Sequence, residues 1–109
     1  MTCDPWDVVV VPFPFTDSPA SKRRPALVLS SREFNHGSGH SLMAQITKAK
    51  QSSWPGDFRV QNVEAGLPEE CIVRMKLFTI DNRLMQKRIG RLSETDREQV
   101  SSGLRQLLA

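Results

Sequence analysis

Short blocks of apolar residues punctuated by turn residues run along most of the chain, and helical spacing shows only at its end. Val8 to Val11 is an unbroken β-branched run closed by Pro12-Phe13-Pro14-Phe15. This predicts a buried strand from Asp7 to about Phe13, ended by residues that cannot donate to a ladder. Thr16 to Ser21 is small and polar and reads as a loop, and Pro25 to Ser30 reads as a second strand. Asn35-His36-Gly37-Ser38-Gly39-His40 holds two glycines and no apolar residue, which predicts a mobile connection. A third strand follows from Ser41 to Ile46, with Thr47 where it ends. Phe58-Arg59-Val60 makes a short strand after a polar stretch, and Gly66-Leu67-Pro68 marks another turn.

Between Ile72 and Ile80, Val73, Met75 and Leu77 alternate with Arg74, Lys76 and Phe78, so Arg74 and Lys76 share one side of a strand. Gln86 to Leu92 supplies a last strand. Ser93, with the Asp96 carboxylate three residues on, starts a C-terminal helix in which Val100, Leu104, Leu107 and Leu108 form one apolar stripe. Five to seven short strands and a terminal helix predict a mainly β fold, a small barrel or strongly curved sheet capped by the helix.

Composition bounds this picture. A chain of 109 residues with 39% hydrophobic residues fits a single domain over 1–109. So small a domain hides only about 60 to 70% of its unfolded surface, which makes pairing with a second copy an economical way to bury more. No apolar run approaches the roughly 20 residues that cross a bilayer, and the segment Met1 to Pro5 lacks the order of a secretory signal, so a cytoplasmic location without a membrane partner is expected. Cys3 and Cys71 form no metal-ligand spacing and exclude a disulfide framework; Cys71 reads as a small buried hydrophobe, Cys3 as an exposed thiol near a frayed end. Net charge is only +3, but its distribution is uneven. From 22 to 59, Lys22, Arg23, Arg24, Arg32, Lys48, Lys50 and Arg59 face only Glu33 and Asp57, a segment that attracts phosphate or forms a solvated basic face.

Enzyme templates are mostly missing. There is no phosphate-cradling glycine loop, no zinc-protease helix motif, no nucleophile elbow and no tyrosine, so neither a metal nor a nucleotide cofactor is implied. His36 and His40 sit in the glycine-rich stretch and read as solvent-exposed, because acid–base catalysis needs a fixed geometry. Arg24 is sharper: Pro25 biases it to an extended backbone at a strand start, where a guanidinium can grip a phosphate through two hydrogen bonds. Thr47 can offer a hydroxyl to a phosphate or a ribose, and is equally an ordinary strand residue. Trp54 beside Pro55 is either a stacking platform for an unpaired base or a packing anchor.

The run Asp7-Val8-Val9-Val10-Val11-Pro12-Phe13-Pro14-Phe15-Thr16-Asp17, followed by Lys22-Arg23-Arg24-Pro25-Ala26-Leu27-Val28-Leu29-Ser30, resembles the N-terminal signature of the MazF/PemK family of toxin endoribonucleases. Lys76-Leu77-Phe78-Thr79-Ile80-Asp81 and Arg88-Ile89-Gly90-Arg91-Leu92-Ser93 look like the two C-terminal signatures of its PemK-like branch. The resemblance implies an SH3-like small barrel with a C-terminal helix. It also implies a homodimer that cuts single-stranded RNA without a metal or other cofactor and so stops translation and growth. A cognate antitoxin would hold it inactive, and operator DNA would be met only through the antitoxin complex. The family's arginine of the Arg-Pro pair and threonine of the third strand fall on Arg24 and Thr47. Thr16, Lys22, Arg23, Lys48, Lys50, Trp54 and Lys76 are the expected RNA contacts. Two departures stand out: Thr47 is followed by Lys48 where the family usually has a second hydroxyl, and Trp6 stands where it commonly has glycine.

The implied chemistry needs no outside nucleophile. Removal of the RNA 2'-OH proton and in-line attack on phosphorus give a 2',3'-cyclic phosphate and a 5'-OH end, with Arg24 stabilising charge and Thr47 holding the phosphate or the attacking sugar. Two other readings remain open on sequence: a toxin of the same fold that poisons a protein target, as the gyrase-inhibiting CcdB-like toxins do, and a catalytically silent nucleic-acid-binding module. The pairing of Arg24 with Thr47 favours RNA cleavage, since a partner-poisoning surface has no use for it.

Overall fold

The computed structural model describes residues 1–13, 22–48, 54–60, 63–67 and 69–109, with the side chains of residues 13, 22 and 63 left aside. Six strands, β1 (Asp7–Phe13), β2 (Lys22–Val28), β3 (His40–Lys48), β4 (Phe58–Val60), β5 (Cys71–Asp81) and β6 (Lys87–Arg91), form one antiparallel sheet in the order β4-β5-β3-β2-β1-β6. Two helices accompany it, α1 (Arg32–Ser38) and α2 (Glu94–Leu107). The sheet curls into a half-barrel with α2 as its C-terminal helix, the mainly β architecture expected from the strand pattern.

The continuous Val8 to Val11 run has a direct structural cause: both faces of the sheet are covered, so neighbouring residues are buried on opposite sides. Val8 pairs with Leu27, and both join Ala44, Ile46, Val73 and Met75 in the core that receives Val100 of α2. Val9 pairs with Ala26, and both join Val28, Met43, Ile80 and Met85 in a second core on the other face. Cys3 belongs to that second core and is buried, not the exposed thiol of the sequence reading. Its backbone explains this: the Cys3 carbonyl accepts a hydrogen bond from Asn35 Nδ2 at 3.0 Å, which pulls the N-terminal segment under the sheet. Cys71 is buried as expected.

The segment read as a mobile connection, Asn35 to His40, is instead the second half of α1, its C-cap and the first residue of β3. Ser31 caps its N-terminus by accepting from the Phe34 N–H at 3.1 Å, Glu33 lies in the first turn, and Gly39 closes it in the left-handed region at φ 72°. Asn35 is wholly buried, and Asn82 Nδ2 donates to its carbonyl at 2.7 Å while Ser41 donates to Asn82 Oδ1 at 2.6 Å. Polar satisfaction, not an apolar stripe, therefore holds this helix in place. In α2 the cap is the predicted one, Ser93 accepting from the Asp96 N–H at 3.2 Å. The predicted stripe is shorter than expected: Val100 is buried and Leu104 packs on the core, whereas Leu107 and Leu108, the last helical residue and the C-cap, are 50% and 62% exposed.

One contact closes the curl. The 3-10 turn Val63–Ala65, which follows β4 at one sheet edge, lies backbone to backbone against β6 at the other edge. A Cβ on Gly66 would stand 1.9 Å from the Ile89 carbonyl oxygen, and one on Gly90 would stand 2.3 Å from the Ala65 carbonyl carbon. Only glycine fits at either place.

Gly90→Ala must push two backbones apart, and should cost about 3 kcal/mol, a fall in Tm of roughly 12 to 24 °C. Gly103→Ala in α2 is the control: its Cβ meets only the Met75 Cε at 3.8 Å, and helix propensity should raise stability by about 1 kcal/mol. Thermal unfolding followed by circular dichroism checks both signs. Burial pushes both the Cys3 and Cys71 thiols above their usual range. Both should resist alkylation at neutral pH in the folded protein and react together on unfolding in guanidinium, which mass spectrometry of labelled protein reads directly.

Candidate nucleic-acid interface

Pro25 fixes the geometry at the start of the β2–β3 pair. It has no N–H to give, and the paired positions run from Ala26↔Gln45 through Leu27↔Ala44 to Val28↔Met43. The pairing ends at Ala26↔Gln45, and the same register carried on two residues would set Arg24 against Thr47. Strand alternation puts both on the face of Ala26 and Gln45, opposite the face that packs on α2. Arg24 is exposed and makes no side-chain hydrogen bond or ion pair among the described residues. Thr47 is half-buried in the penultimate position of β3, which extends past the predicted end to Lys48.

The same face continues onto β5, where Gln45 pairs with Arg74 and Thr47 with Ile72. Between Ala44 and Gln45 the partner on β5 jumps from Leu77 to Arg74, leaving Met75 and Lys76 in a bulge. Met75 turns into the core beneath α2, and Lys76 is exposed on the other side with Arg74, as the alternation predicts. Over this point lies a tight turn, in which the Asp57 N–H donates to the Trp54 carbonyl at 3.2 Å and Gly56 takes φ 82° after Pro55, the residue order of a type II turn. Arg74 clasps the Asp57 carboxylate through Nε at 3.1 Å and Nη2 at 2.8 Å. The Asp57 side chain is 5% exposed and that of Arg74 23%, and the hydrogen bond to Asp57 holds the guanidinium's pKa above its ordinary value. The ammonium of Lys76 stands 4.5 Å from the centroid of the Trp54 ring.

The other expected contacts scatter around this strip. Arg23 is exposed at the start of β2, and Lys48 is exposed with its Nζ 3.2 Å from Glu69. Arg59 pairs with Glu70 at 2.7 Å. Thr16 and Lys50 lie outside the described residues, as does the side chain of Lys22. His36 and His40 are exposed at the opposite end of β3; His40 stands seven residues, about 23 Å, from Thr47. No group of three or more His, Cys, Asp or Glu side chains among the described residues could hold a metal ion.

Sequence reasoning missed Gln45 and the Asp57–Arg74 clasp. The Pro55-Gly56-Asp57 triplet signals the turn that brings Asp57 round. Its partner could not be read, because the bulge that aims Arg74 arises from pairing rather than from spacing. Trp6, where the family resemblance departs, stands at φ 75°, a backbone conformation that favours glycine. It is held there by its N–H donating to Val28 at 2.7 Å and its carbonyl accepting from Leu92 at 2.9 Å, with the ring packed against the core.

Comparison with solved structures finds the same fold in MazF from Deinococcus radiodurans, at 19% identity and TM-score 0.77 over 98% of this chain and 96% of that one. A MazE–MazF complex from the same organism gives 20% identity and TM-score 0.79 with the same coverage. An endoribonuclease in complex with its cognate antitoxin from a mycobacterial species gives 10% identity and TM-score 0.75 over 96% of this chain and 91% of that one. No curated protein matches the sequence. The family described as PemK-like, MazF-like toxin of type II toxin-antitoxin system matches residues 4–108. With nearly its whole length accounted for in this way, the chain belongs to the PemK/MazF toxin family.

Proposed function

We propose that the protein is the toxin of a type II toxin–antitoxin pair and a metal-independent endoribonuclease. On this reading it cuts single-stranded RNA, messenger RNA above all, and so arrests translation and growth in the cytoplasm. The observation that supports the reading is the β2–β3 register, which carried two residues past Ala26↔Gln45 would set Arg24 against Thr47, in a member of this family. An exposed guanidinium can meet the phosphoryl oxygens of a bound strand and stabilise the charge that grows on them as the 2'-oxygen attacks. The Thr47 hydroxyl, one strand away, can accept from the 2'-OH or donate to the phosphate and so hold the attacking oxygen in line. The 2'-oxygen closes on phosphorus, the 5'-oxygen leaves with a proton, and the products are a 2',3'-cyclic phosphate and a 5'-OH end. DNA lacks the attacking hydroxyl and would stay intact.

Arg23 and Lys48 adjoin the pair in sequence, on the opposite side of their strands, and with Lys22, Lys50 and Thr16 they are assigned to RNA contact from sequence alone. With Lys48 in the position after Thr47, a charge contact replaces the family's usual second hydroxyl. The active species is proposed to be a homodimer. The antitoxin is proposed to insert an acidic segment with apolar anchors against this basic surface, and operator DNA would be bound only by the resulting complex. MazE–MazF complexes among the similar structures support an antitoxin partner.

Purified protein incubated with a mixed-sequence single-stranded RNA in EDTA should generate 5'-OH ends, detectable by polynucleotide-kinase labelling. Arg24→Ala should slow cleavage by about 100-fold or more and Thr47→Val by about 10-fold, as expected when one transition-state donor or one positioning group is lost. RNA left intact by the parent protein, or cut at an unchanged rate by Arg24→Ala, would overturn the reading.

A further inference from the structure

The geometry at the Trp54 turn points to a base-stacking subsite: we propose that Trp54 receives an unpaired base of the RNA on the ring face that Lys76 now covers, and that Lys76 moves from the ring to that nucleotide's phosphate. The inference rests on the endoribonuclease reading and adds what selects the substrate beside the scissile bond. Trp54 is 41% exposed although it belongs to a tight turn pinned to the sheet, so its exposure is built in and does not come from a loose end. The pin is the Asp57–Arg74 clasp, and Arg74 pairs with Gln45, two residues along β3 from Thr47 on the same face. Strand spacing of about 4.8 Å and a rise of about 3.3 Å per residue set Arg74 roughly 8 Å from Thr47, the reach of a nucleotide adjoining the bond to be cut.

The Lys76 ammonium stands 4.5 Å from the ring centroid, where a cation is attracted by the π-face and where a stacked base would lie. An exposed ammonium is a weak occupant of that place: stacking of a base on the ring gains more, and the displaced cation gains a phosphate. Every base offers a π-face, so the subsite demands an unstacked nucleotide rather than a particular letter, which a base held in a duplex cannot supply. Two glycine-dependent features keep this arrangement in shape. Gly56 supplies the positive φ of the turn, and a Cβ there would stand 3.1 Å from Met75, the residue that roots the bulge carrying Lys76.

Two measurements on the intact protein test this. In the first, a mixed-sequence 2'-O-methyl RNA that cannot be cut is titrated into the parent and into Trp54→Phe. Quenching of tryptophan fluorescence in the parent that disappears in the variant is expected; equal quenching in both, or RNA bound with none, overturns the subsite. In the second, kcat/KM for RNA cleavage should fall about tenfold in Trp54→Leu, mainly through KM, and stay within about threefold in Trp54→Phe, which keeps a stacking ring. An abasic nucleotide at one position beside the cut should reproduce the loss in the parent and add nothing in Trp54→Leu. Lys76→Met should keep the quenching while the salt dependence of binding falls by about one phosphate contact. Normal cleavage by Trp54→Leu overturns the subsite and leaves the nuclease standing, whereas a parent that binds with Trp54 quenching but never cuts overturns the nuclease and leaves the subsite standing.

Discussion

The closure of the curved sheet by the turn at Val63–Ala65 is the contact on which the rest depends. A six-stranded sheet with free edges at β4 and β6 would expose two rows of unpaired backbone groups and leave its curvature unset. Seating the turn that follows β4 directly on β6 hides one edge and fixes how far the sheet bends. Within the bent sheet, the β3–β5 register and the Asp57–Arg74 clasp set the first half of β5 and the Trp54 turn on the face of Gln45. Two glycines make that contact, and neither touches the strip.

Coverage of both sheet faces explains which parts of the fold could be read from the sequence. β1 was legible to the residue, because four consecutive β-branched residues suit a strand with no solvent side, and β4 was equally plain. β5 was legible in its alternation, which correctly placed Arg74 and Lys76 together. The N-cap of α2 was legible because Ser93 and Asp96 carry their own hydrogen bond. The helix α1 was not, since its seven residues include Gly37 and two histidine or asparagine positions that ordinarily mark loops. Its stability comes from Asn35, Asn82 and Ser41, which meet only after the chain has folded. Cys3 failed for the same reason: nothing near it in sequence says that Asn35 will reach for its carbonyl.

The candidate site was legible by residue type and illegible by arrangement. Arg24 was marked by Pro25, and Thr47 by its place near a strand end. Whether strand continuation aligns the two depends on the β2–β3 register, in which Leu27 pairs with Ala44 in the core, and not on anything local to either. Trp54 was left between two roles by the sequence. The structure leaves the ring exposed and tethered, while the neighbouring clasp and bulge that tether it are long-range features without a linear signature.

The shielding of the Asp57–Arg74 clasp separates two properties of this surface. A bidentate pair whose carboxylate is almost fully buried feels little of the ionic atmosphere, whereas exposed Arg24 and Lys76 feel much more of it. Rising ionic strength therefore loosens the hold on any polyanion without unfastening the aromatic ring from its mount. The charged part of this surface and the mounted ring thus answer to different physical conditions.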